Sequence, residues 1–366
     1  MSLTAGIVGL PNVGKSTLFN AITKSNVEAA NYPFATIQPN VGVVTVPDKR
    51  LDEIIKLINP KKSIYTTFEF TDIAGLVKGA SKGEGLGNKF LSHIRETDAI
   101  CHVVRCFESN DITHVEGSVD PIRDLEIINL ELALADLSTI ENRITKVERK
   151  AQQKDQEAMS EYSVLKKILD ALVKGKQARS VELNNNEQII AKQFNLLTIK
   201  PMIYIANIEE ENIASPNNNS NYLKLVEYAK SENNIVVAVS AKIEEELSSL
   251  QDDERIMFLH ELGIERSGLD SVIIEAYNIL GLKTYFTAGE PECRAWTFTD
   301  GMKAPECAGI IHTDFQKGFI KAETYNYEDL IKYQSENAIK EAGKLRLEGK
   351  DYIVKDGDIL HFRFNV

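Results

Sequence analysis

Apolar residues follow two different periods along this chain, and the order of the two periods predicts its architecture. Short apolar or alternating runs of the kind that form strands cover residues 5–8, 41–46, 66–72, 99–107, 202–206 and 235–239. Helical spacing covers residues 17–23, 88–97, 187–198, 257–262 and 271–280. Strands that alternate with helices predict an α/β fold built on a doubly wound, mostly parallel sheet.

The longest helical pattern lies between the fourth and the fifth predicted strand. It begins near Pro121, and a second stripe follows at residues 157–173. Charged residues fill the other positions, which predicts an antiparallel helical arm, partly coiled coil, inserted as residues 122–198. The arm is either a spacer or a lever that binds a partner, and the pattern favours neither. The first stripe consists of Ile127, Leu130, Leu134, Leu137 and Ile144.

The last part of the chain has a pattern of its own. Strand-like runs resume near Phe286, and a helix is predicted at residues 327–335. This order predicts a small β-grasp-like α+β domain at residues 282–366, after a larger first domain at residues 1–281. No nucleophile stands at a catalytic spacing from His312 or Asp314, so we expect a binding surface or a structural cap.

Composition limits the classes of function. The chain has 366 residues, 43% of them hydrophobic, and its 54 acidic and 42 basic residues give a formal net charge of −12. Such a charge argues against a protein that coats nucleic acid, but it is compatible with a local basic patch. The four cysteines lack metal-ligand spacing, and no apolar run is long enough to cross a bilayer. We therefore expect a cytoplasmic monomer with no membrane contact.

Residues 9–17 carry the most specific motif. They read Gly-Leu-Pro-Asn-Val-Gly-Lys-Ser-Thr, which matches the Walker A pattern between a strand and a helix. In such a loop, consecutive backbone N–H groups and the positive end of the helix bind phosphate. Lys15 is expected to reach the β- and γ-phosphates, and the Ser16 hydroxyl to bind Mg²⁺. The motif predicts a P-loop nucleoside triphosphatase in which Lys15 is catalytic.

Two further loops stand where Ras-like GTPases have their switches. Thr36 lies between the first helix and the second strand, where switch I supplies a second Mg²⁺ ligand. The third strand ends in a D-x-x-G motif, whose Asp72 is expected to hold Mg²⁺ through water and whose Gly75 N–H is expected to contact the γ-phosphate. Leu76 follows instead of the Gln that orients water in Ras-type enzymes. Hydrolysis is therefore expected to be slow unless a partner or another group positions the water.

The loop after the fourth predicted strand contains His114. Doubly wound sheets bind ligands beyond the carboxyl ends of their strands, and this loop lies at such an end. The unperturbed pKa of histidine suits a general base or a group that positions water. His114 is thus a second candidate catalytic residue, and the alternative is a loop histidine without a role in the reaction.

Two later loops stand where GTPases read the base. The residues are Asn207-Ile208-Glu209-Glu210, in place of N-K-x-D, and Ser240-Ala241-Lys242. In N-K-x-D, the aspartate accepts two hydrogen bonds from guanine, and Glu210, one methylene longer, should spoil that pairing. Adenine lacks this donor pair, and a backbone carbonyl or Asn207 can accept from its amino group. The sequence favours ATP, or relaxed specificity.

Taken together, these motifs resemble the YchF / Obg-like ATPase family over essentially the whole chain. The resemblance also includes the helical insertion and segments at residues 286–289 and 343–352, which look like the TGS signatures of that family. It implies a Ras-like P-loop fold with a coiled-coil insertion and a C-terminal β-grasp (TGS) domain. It further implies an ATP-preferring hydrolase that acts with ribosomes or other cellular partners.

The resemblance also assigns residues. Ser16 and Thr36 would hold Mg²⁺, and Ile208 would lie against the base. Asn12 occupies the position of a K⁺ ligand in potassium-activated relatives, which makes K⁺ a second cofactor hypothesis. The phosphates would bind to Asn12, Val13, Gly14, Lys15, Ser16 and Thr17.

The resulting hypothesis is a cytoplasmic, Mg²⁺-dependent ATPase whose γ-phosphate state controls partner binding. The first alternative is a GTPase of the same fold. The second is a ribosome- or RNA-binding module that binds independently of nucleotide and contacts RNA through a cleft between the arm and the TGS domain.

Overall fold

The computed structural model describes residues 3–24, 40–73 and 86–365. They divide into two units, Met1–Val44 with Glu69–Ala276 and Thr45–Phe68 with Tyr277–Val366. The strands are β1 (Thr4–Val8), β2 (Val41–Thr45), β3 (Ser63–Ile64), β4 (Thr67–Asp72), β5 (Ala99–Arg105), β6 (Met202–Asn207), β7 (Ile235–Val239), β8 (Leu282–Ala288), β9 (Cys293–Thr299), β10 (Phe319–Asn326), β11 (Arg346–Glu348) and β12 (Asp358–Phe364). The α-helices are α1 (Lys15–Lys24), α2 (Lys49–Ile58), α3 (Leu86–Glu96), α4 (Pro121–Gln152), α5 (Gln156–Val173), α6 (Asn185–Lys192), α7 (Ser220–Ser231), α8 (Ala241–Leu247), α9 (Asp252–Glu261), α10 (Gly268–Ile279), α11 (Ala304–Ile311), α12 (Thr313–Lys317), α13 (Tyr327–Tyr333) and α14 (Glu336–Glu341).

A six-stranded sheet with the order β2-β4-β1-β5-β6-β7 forms the core of the first unit. β1 runs parallel to β4 and β5, and β6 runs parallel to β5 and β7. Every residue of β5 and β6 is buried, as expected for apolar strands in the middle of a parallel sheet. The predicted α/β architecture is confirmed. Later strands lie on both sides of β1, which creates a switch point at its carboxyl end.

Helices α4 and α5 form the predicted antiparallel arm, connected by a turn at residues 153–155. Ile140 and Ile144 of α4 pack against Leu165 and Ile168 of α5 in one apolar cluster. Asp120 begins α4, because its carboxylate accepts the first free N–H groups of the helix. Although α4 has 32 residues, neither it nor any other helix in the described ranges is long and apolar enough to span a membrane.

The predicted apolar face of α4 was wrong in the first half of the helix. Leu130 and Leu134 are 59% and 40% exposed, whereas Leu125, Ile128 and Leu132 are fully buried. In this half α4 packs against β5 and α7. Apolar residues occupy both faces here, so spacing alone did not identify the buried one.

Helix α6 ends earlier than predicted, at Lys192 instead of residue 198. Asn195 has a positive φ of 50°, which a continuing helix does not allow. The N–H groups of Leu197 and Thr198 donate to the carboxylate of Asp136 on α4, at 2.9 and 2.7 Å. A hydrogen bond to a distant side chain therefore replaces the helical one.

The second unit contains a six-stranded sheet with the order β11-β10-β12-β8-β9-β3. Successive residues of β8 point to opposite faces, so Tyr285 packs with α11 and Phe286 packs with α2 and α13. Helices thus cover both faces of this sheet. The C-terminal α+β domain was predicted, but α11, α12 and α14 were not.

Residues 45–68 belong to the second unit, which corrects the expected first domain of residues 1–281. Ser63 of β3 pairs with Cys293 of β9. Leu51 and Ile54 of α2 are fully buried in the cluster that contains Phe286. This segment completes the sheet and the core of the second unit, although more than 200 residues separate it from the C-terminal part.

Candidate functional site

A cavity of about 970 Å³ lies at the carboxyl edge of the first sheet. Its lining comes from residues 10–17 after β1, 107–112 after β5, 207–211 at the end of β6 and 240–245 after β7. Doubly wound sheets bind their ligands at this edge, next to the switch point. The structure thus brings the predicted P-loop and both predicted base motifs to one cavity.

The P-loop makes a tight turn before α1. Asn12 and Gly14 have positive φ values of 63° and 93°. A Cβ atom on Gly14 would lie 2.2 Å from Nδ2 of Asn207, so only glycine fits there. α1 starts at Lys15, and the first N–H groups of a helix have no partners within the helix. These groups and the helix dipole make the start of α1 a site for an anion.

Lys15 is buried beside the end of β4. Its Nζ lies 2.5 Å from Oδ1 of Asp72, and the side chain is 10% exposed. Parallel pairing of β1 with β4 places Asp72 next to Ile7, two residues before the P-loop begins at Gly9. Ser16 lines the cavity beside Lys15. The predictions for Thr36, Gly75 and Leu76 fall outside the described residues.

The donor set at this point fits Mg²⁺ held jointly with a phosphate. Ser16 and Asp72 supply the hydroxyl and carboxylate oxygens that Mg²⁺ prefers. Over residues 3–24, 40–73 and 86–365, no three His, Cys, Asp or Glu side chains cluster closely enough to hold a metal ion. Mg²⁺ would therefore need additional ligands, and phosphate oxygens and waters are its usual partners in nucleotide sites.

Asn207 fastens the P-loop to the loop after β7. Its Nδ2 donates to the Val13 carbonyl at 2.9 Å, and its Oδ1 accepts from the Ala241 N–H at 3.0 Å. The side chain is buried, and both of its polar atoms are bonded to backbone. Asn207 also lines the cavity, so its expected contact with the adenine amino group stays a prediction and would use the second lone pair of Oδ1. Its contacts are those of a residue that positions two loops.

Glu210 and Lys242 form an ion pair at the cavity rim. Lys242 Nζ lies 2.5 Å from Glu210 Oε1, and both side chains are exposed. The hydrogen bond and the charge of Glu210 raise the pKa of Lys242. Behind them, the buried Ile208 donates its N–H to the Val239 carbonyl at 2.8 Å, and Ser240 is also buried. The two predicted base motifs are therefore in direct contact.

His114 is buried and does not line the cavity. Its Nδ1 accepts from the Glu116 N–H at 3.1 Å, and its Nε2 lies 2.7 Å from Oδ2 of Asp124. Because Nδ1 accepts, we assign the proton to Nε2, which donates to Asp124. Neither nitrogen can take a proton from water in this arrangement. A general-base role for His114 therefore requires its loop to open.

Two charged residues that the sequence did not single out shape the loop after β5. Arg105 is buried, and its guanidinium donates to the carbonyls of Phe107 and Ile112 at 3.2 and 3.0 Å. Burial lowers the pKa of Arg105. Glu209 accepts from the Glu108 N–H at 3.0 Å. The signal available in the sequence was their position, Arg105 within the apolar run of residues 99–107 and Glu209 three residues after the run that ends at residue 206.

A third residue, Glu244 of α8, was also missed. It is buried, and its carboxylate accepts from the Gly268 N–H at 2.8 Å, at the start of α10. Burial raises its pKa to about 7. An acidic residue two positions after Lys242 reads as solvated in the sequence, and nothing local indicated its burial.

Family models match two parts of the chain. A model described as a 50S ribosome-binding GTPase matches residues 4–134, and the model YchF-GTPase_C, described as a protein of unknown function, matches residues 282–365. The chain is 62% identical over 366 residues to the Ribosome-binding ATPase YchF of Bacillus subtilis (strain 168). It is 54% identical over 367 residues to the protein of the same name from Escherichia coli O157:H7, and both alignments cover 100% of both chains. A structure of the Schizosaccharomyces pombe YchF GTPase is similar with a TM-score of 0.89 at 41% identity, over 99% of this chain and 98% of that one.

Proposed function

The chain belongs to the YchF family, and on this basis we propose that it is a Mg²⁺-dependent ATPase that binds ribosomes and changes its affinity for them with the state of its nucleotide. Relatives with 62% and 54% identity over their whole length carry the name Ribosome-binding ATPase. The observation that carries the proposal is one cavity of about 970 Å³ that Lys15 and Glu210 both line.

The P-loop end of the cavity binds the triphosphate. Loop N–H groups and the start of α1 contact the phosphate oxygens, and Lys15 leaves Asp72 for the more highly charged β- and γ-phosphates. Asp72 would then help to hold Mg²⁺, and Mg²⁺ would neutralise negative charge on the phosphates. Lys15 stabilises the charge that develops during transfer, because its position is fixed before the reaction.

The other end of the cavity selects the base, and its chemistry favours adenine. Guanine needs a carboxylate that faces its N1–H and amino group together. Glu210 is longer than the aspartate of N-K-x-D and is already paired with Lys242 at 2.5 Å. A guanine would compete with Lys242 for this carboxylate, whereas adenine makes no such demand. ATP is therefore preferred over GTP.

Slow hydrolysis keeps the protein in its ATP-bound state until a partner accelerates the reaction, which is the behaviour of a molecular switch. Leu76 stands where Ras-type enzymes place the Gln that orients the attacking water. Both ring nitrogens of His114 are engaged, so this residue does not compensate in the present arrangement. A partner that rearranges the loop around His114 would supply the missing function. K⁺ at Asn12 is a second route and stays a prediction.

Removal of the Lys15 ammonium tests the phosphate site. We expect Lys15→Ala to lower ATP hydrolysis at least about 100-fold, since a fixed charge at the developing transition state is lost. Lys24→Ala, an exposed lysine in the last turn of the same helix, is the matched control and should retain full activity. Phosphate release is measured at saturating ATP. Hydrolysis by Lys15→Ala at the wild-type rate would contradict the proposal.

A one-methylene change tests the choice of base. Binding of fluorescent ATP and GTP analogues to wild type and Glu210→Asp is measured at fixed Mg²⁺ and K⁺. We expect wild type to prefer ATP and the variant to gain affinity for GTP, because the shorter carboxylate restores the geometry that pairs with guanine. A wild-type preference for GTP would instead support the GTPase alternative.

The second alternative is a ribosome-binding module that does not depend on nucleotide, and the names of the relatives support ribosome binding in either case. Co-sedimentation with ribosomes separates the two, with no nucleotide, with ADP and with a non-hydrolysable ATP analogue. Association that depends on the ATP analogue supports the switch. Equal association under all three conditions supports the nucleotide-independent module.

A further inference from the structure

One carboxylate connects the two loops that form the base end of the cavity. Glu209 Oε1 accepts from the Glu108 N–H at 3.0 Å. Its Oε2 accepts from Asn219 Nδ2 at 2.7 Å and from Asn212 Nδ2 at 3.2 Å. The three donors come from the loop after β5, the segment after β6 and the residue that begins α7. These donors are neutral, and the ion pairs found among the described residues do not include Glu209.

The loop after β5 depends on this contact for its position. Phe107, the residue before Glu108, lines the cavity, as does Ile112. The guanidinium of Arg105 donates hydrogen bonds to the backbone carbonyls of Phe107 and Ile112. Its central carbon lies 4.4 Å from the centre of the Phe107 ring. Glu209 ties the same loop to the end of β6, next to Ile208. Apolar side chains from two loops thus line one cavity, and the Glu209 bond to Glu108 connects these loops.

Asn219 makes further hydrogen bonds that fix the position of the Glu209 carboxylate between the two loops. Besides Glu209, its Nδ2 donates to the Cys106 carbonyl at 2.9 Å, and its Oδ1 accepts from the Tyr222 N–H at 2.7 Å, in the first turn of α7. Burial raises the pKa of Glu209, but the hydrogen bonds from Glu108, Asn219 and Asn212 outweigh it and lower the pKa below its ordinary value. The carboxylate is therefore ionised at neutral pH, and each of its bonds is charge-assisted.

We propose that Glu209 is a positioning residue that fixes the separation of the loops after β5 and β6, and thereby sets the affinity for the purine base but not for the triphosphate. The inference rests on the proposed function and deepens it. The P-loop is held by a different residue, because Asn207 hydrogen-bonds to Val13 and Ala241 and neither bond involves Glu209. Loss of the Glu209 bonds should widen the base end and leave the P-loop in place.

Two ligands, one with and one without the nucleoside, test the proposal. ATP contains the base and the ribose, whereas inorganic tripolyphosphate contains the phosphates alone. Dissociation constants for both are measured by calorimetry at fixed Mg²⁺, for wild type, Glu209→Ala, Glu209→Gln and Glu227→Gln. Glu227 is an exposed residue of α7 and provides the control for the change in charge. Thermal unfolding of each variant without ligand shows whether it folds.

We expect Glu209→Ala to raise the dissociation constant for ATP about tenfold and to change that for tripolyphosphate less than about twofold, since charge-assisted bonds at the base end are lost. Glu209→Gln keeps the volume and one acceptor, so it should show a smaller increase in the same direction. Turnover at saturating ATP should stay near the wild-type value while KM rises.

Three outcomes would overturn the inference, and they are distinguishable. Unchanged ATP affinity in both Glu209 variants shows that these bonds do not position the base end. An equal loss for ATP and tripolyphosphate shows that Glu209 supports the whole site. Wild type that binds ATP no more tightly than tripolyphosphate lacks a base site, and this result contradicts the proposed function itself.

Discussion

Single polar side chains hold the loops of the cavity by bonding backbone groups that are distant in sequence. Asn207 reaches Val13 and Ala241, and Glu209 reaches Glu108. Each bond satisfies a backbone group that the loop cannot satisfy itself, because irregular loops leave N–H and C=O groups without ladder partners. A change at one of these residues therefore alters the loops that line the cavity, whatever contact its own side chain makes with the nucleotide.

Glu244 should make stability depend on pH in an unusual direction. Burial, with a smaller contribution from the charge of Asp270, raises its pKa from 4.5 to about 7, and hydrogen bonds from the Leu269 and Gly268 N–H groups only partly offset this. The folded protein keeps this proton where the unfolded chain has lost it, so this residue makes the free energy of unfolding fall as pH rises from 4.5 to about 7. Glu244→Gln should stabilise the protein at pH 8, by on the order of 3 kcal/mol, and much less at pH 4.5.

Thermal unfolding between pH 4.5 and pH 8 measures this effect. Glu246→Gln, an exposed residue of the same helix, is the control and should leave the pH profile of wild type unchanged. If Glu244→Gln shows the wild-type profile, the carboxyl group does not titrate in this range.

Tertiary contacts decided where several helices end and which face they bury. α4 carries apolar residues on two faces in its first half, and its contacts with β5 and α7 bury only one. α6 stops at Lys192, Asn195 has a positive φ, and the N–H groups of Leu197 and Thr198 donate to Asp136 instead of continuing the helix. The helical pattern in the sequence extends beyond the end of α6, and apolar residues occupy both faces of the first half of α4. Tertiary packing therefore decides where the helix ends and which face is buried.

Two leucines two positions apart on α4 test the corrected face. Leu132 is fully buried, whereas Leu134 is 40% exposed. We expect Leu132→Ala to lower the free energy of unfolding by about 3 kcal/mol, because it leaves a cavity in the core. Leu134→Ala should cost less than about 1 kcal/mol, since water already reaches the side chain. Urea titration of both variants gives the comparison, and similar losses would argue against this orientation of the helix.

Asp136 is expected to be a strong anchor of the arm. Its carboxylate accepts three hydrogen bonds, two from the N–H groups of Leu197 and Thr198 and one from the Thr198 hydroxyl at 2.6 Å. Asp136→Ala leaves these buried donors unpaired, so the free energy of unfolding should fall by about 3 kcal/mol or more. Asp170→Ala removes an exposed carboxylate of α5 whose ion pair with Lys174 contributes little, and it should change stability by less than about 0.5 kcal/mol.

At the scale of the molecule, the two units are not consecutive in sequence. The chain passes between them at residues 44–45, 68–69 and 276–277. The inserted segment contributes an edge strand and one helix to the second unit, and α2 buries Leu51 and Ile54 there. A cut between the two predicted domains therefore does not separate two complete cores.

A shortened protein tests this arrangement. Residues 1–276 retain the whole first sheet but lack the strands on which α2 packs. We expect this fragment to aggregate, because its α2 exposes a contiguous apolar face. The same fragment with Leu51→Ser and Ile54→Ser should remain monodisperse in size-exclusion chromatography. A soluble, monomeric fragment without these substitutions would contradict the assignment of residues 45–68.

The sequence by itself determined the features whose causes are local. Residues 9–17 form a phosphate loop because contiguous residues supply its glycines, lysine and hydroxyl, and the short apolar runs predicted all six strands of the first sheet. The resemblance of the motifs also led to the family, which the relatives over the whole chain bear out.

Only the tertiary structure decided which residues meet across long stretches of chain. Asn207 and Val13 are 194 positions apart, and Glu209 and Glu108 are 101 apart. No spacing or propensity specifies such a bond, because it depends on the order of strands in the sheet and on the loops that their ends bring together. The engagement of both His114 nitrogens, the buried face of α4 and the place of residues 45–68 have the same origin. Hydrophobic periodicity and sequence motifs can be recognised in the chain alone. Burial and long-range hydrogen bonds arise only when the chain is folded.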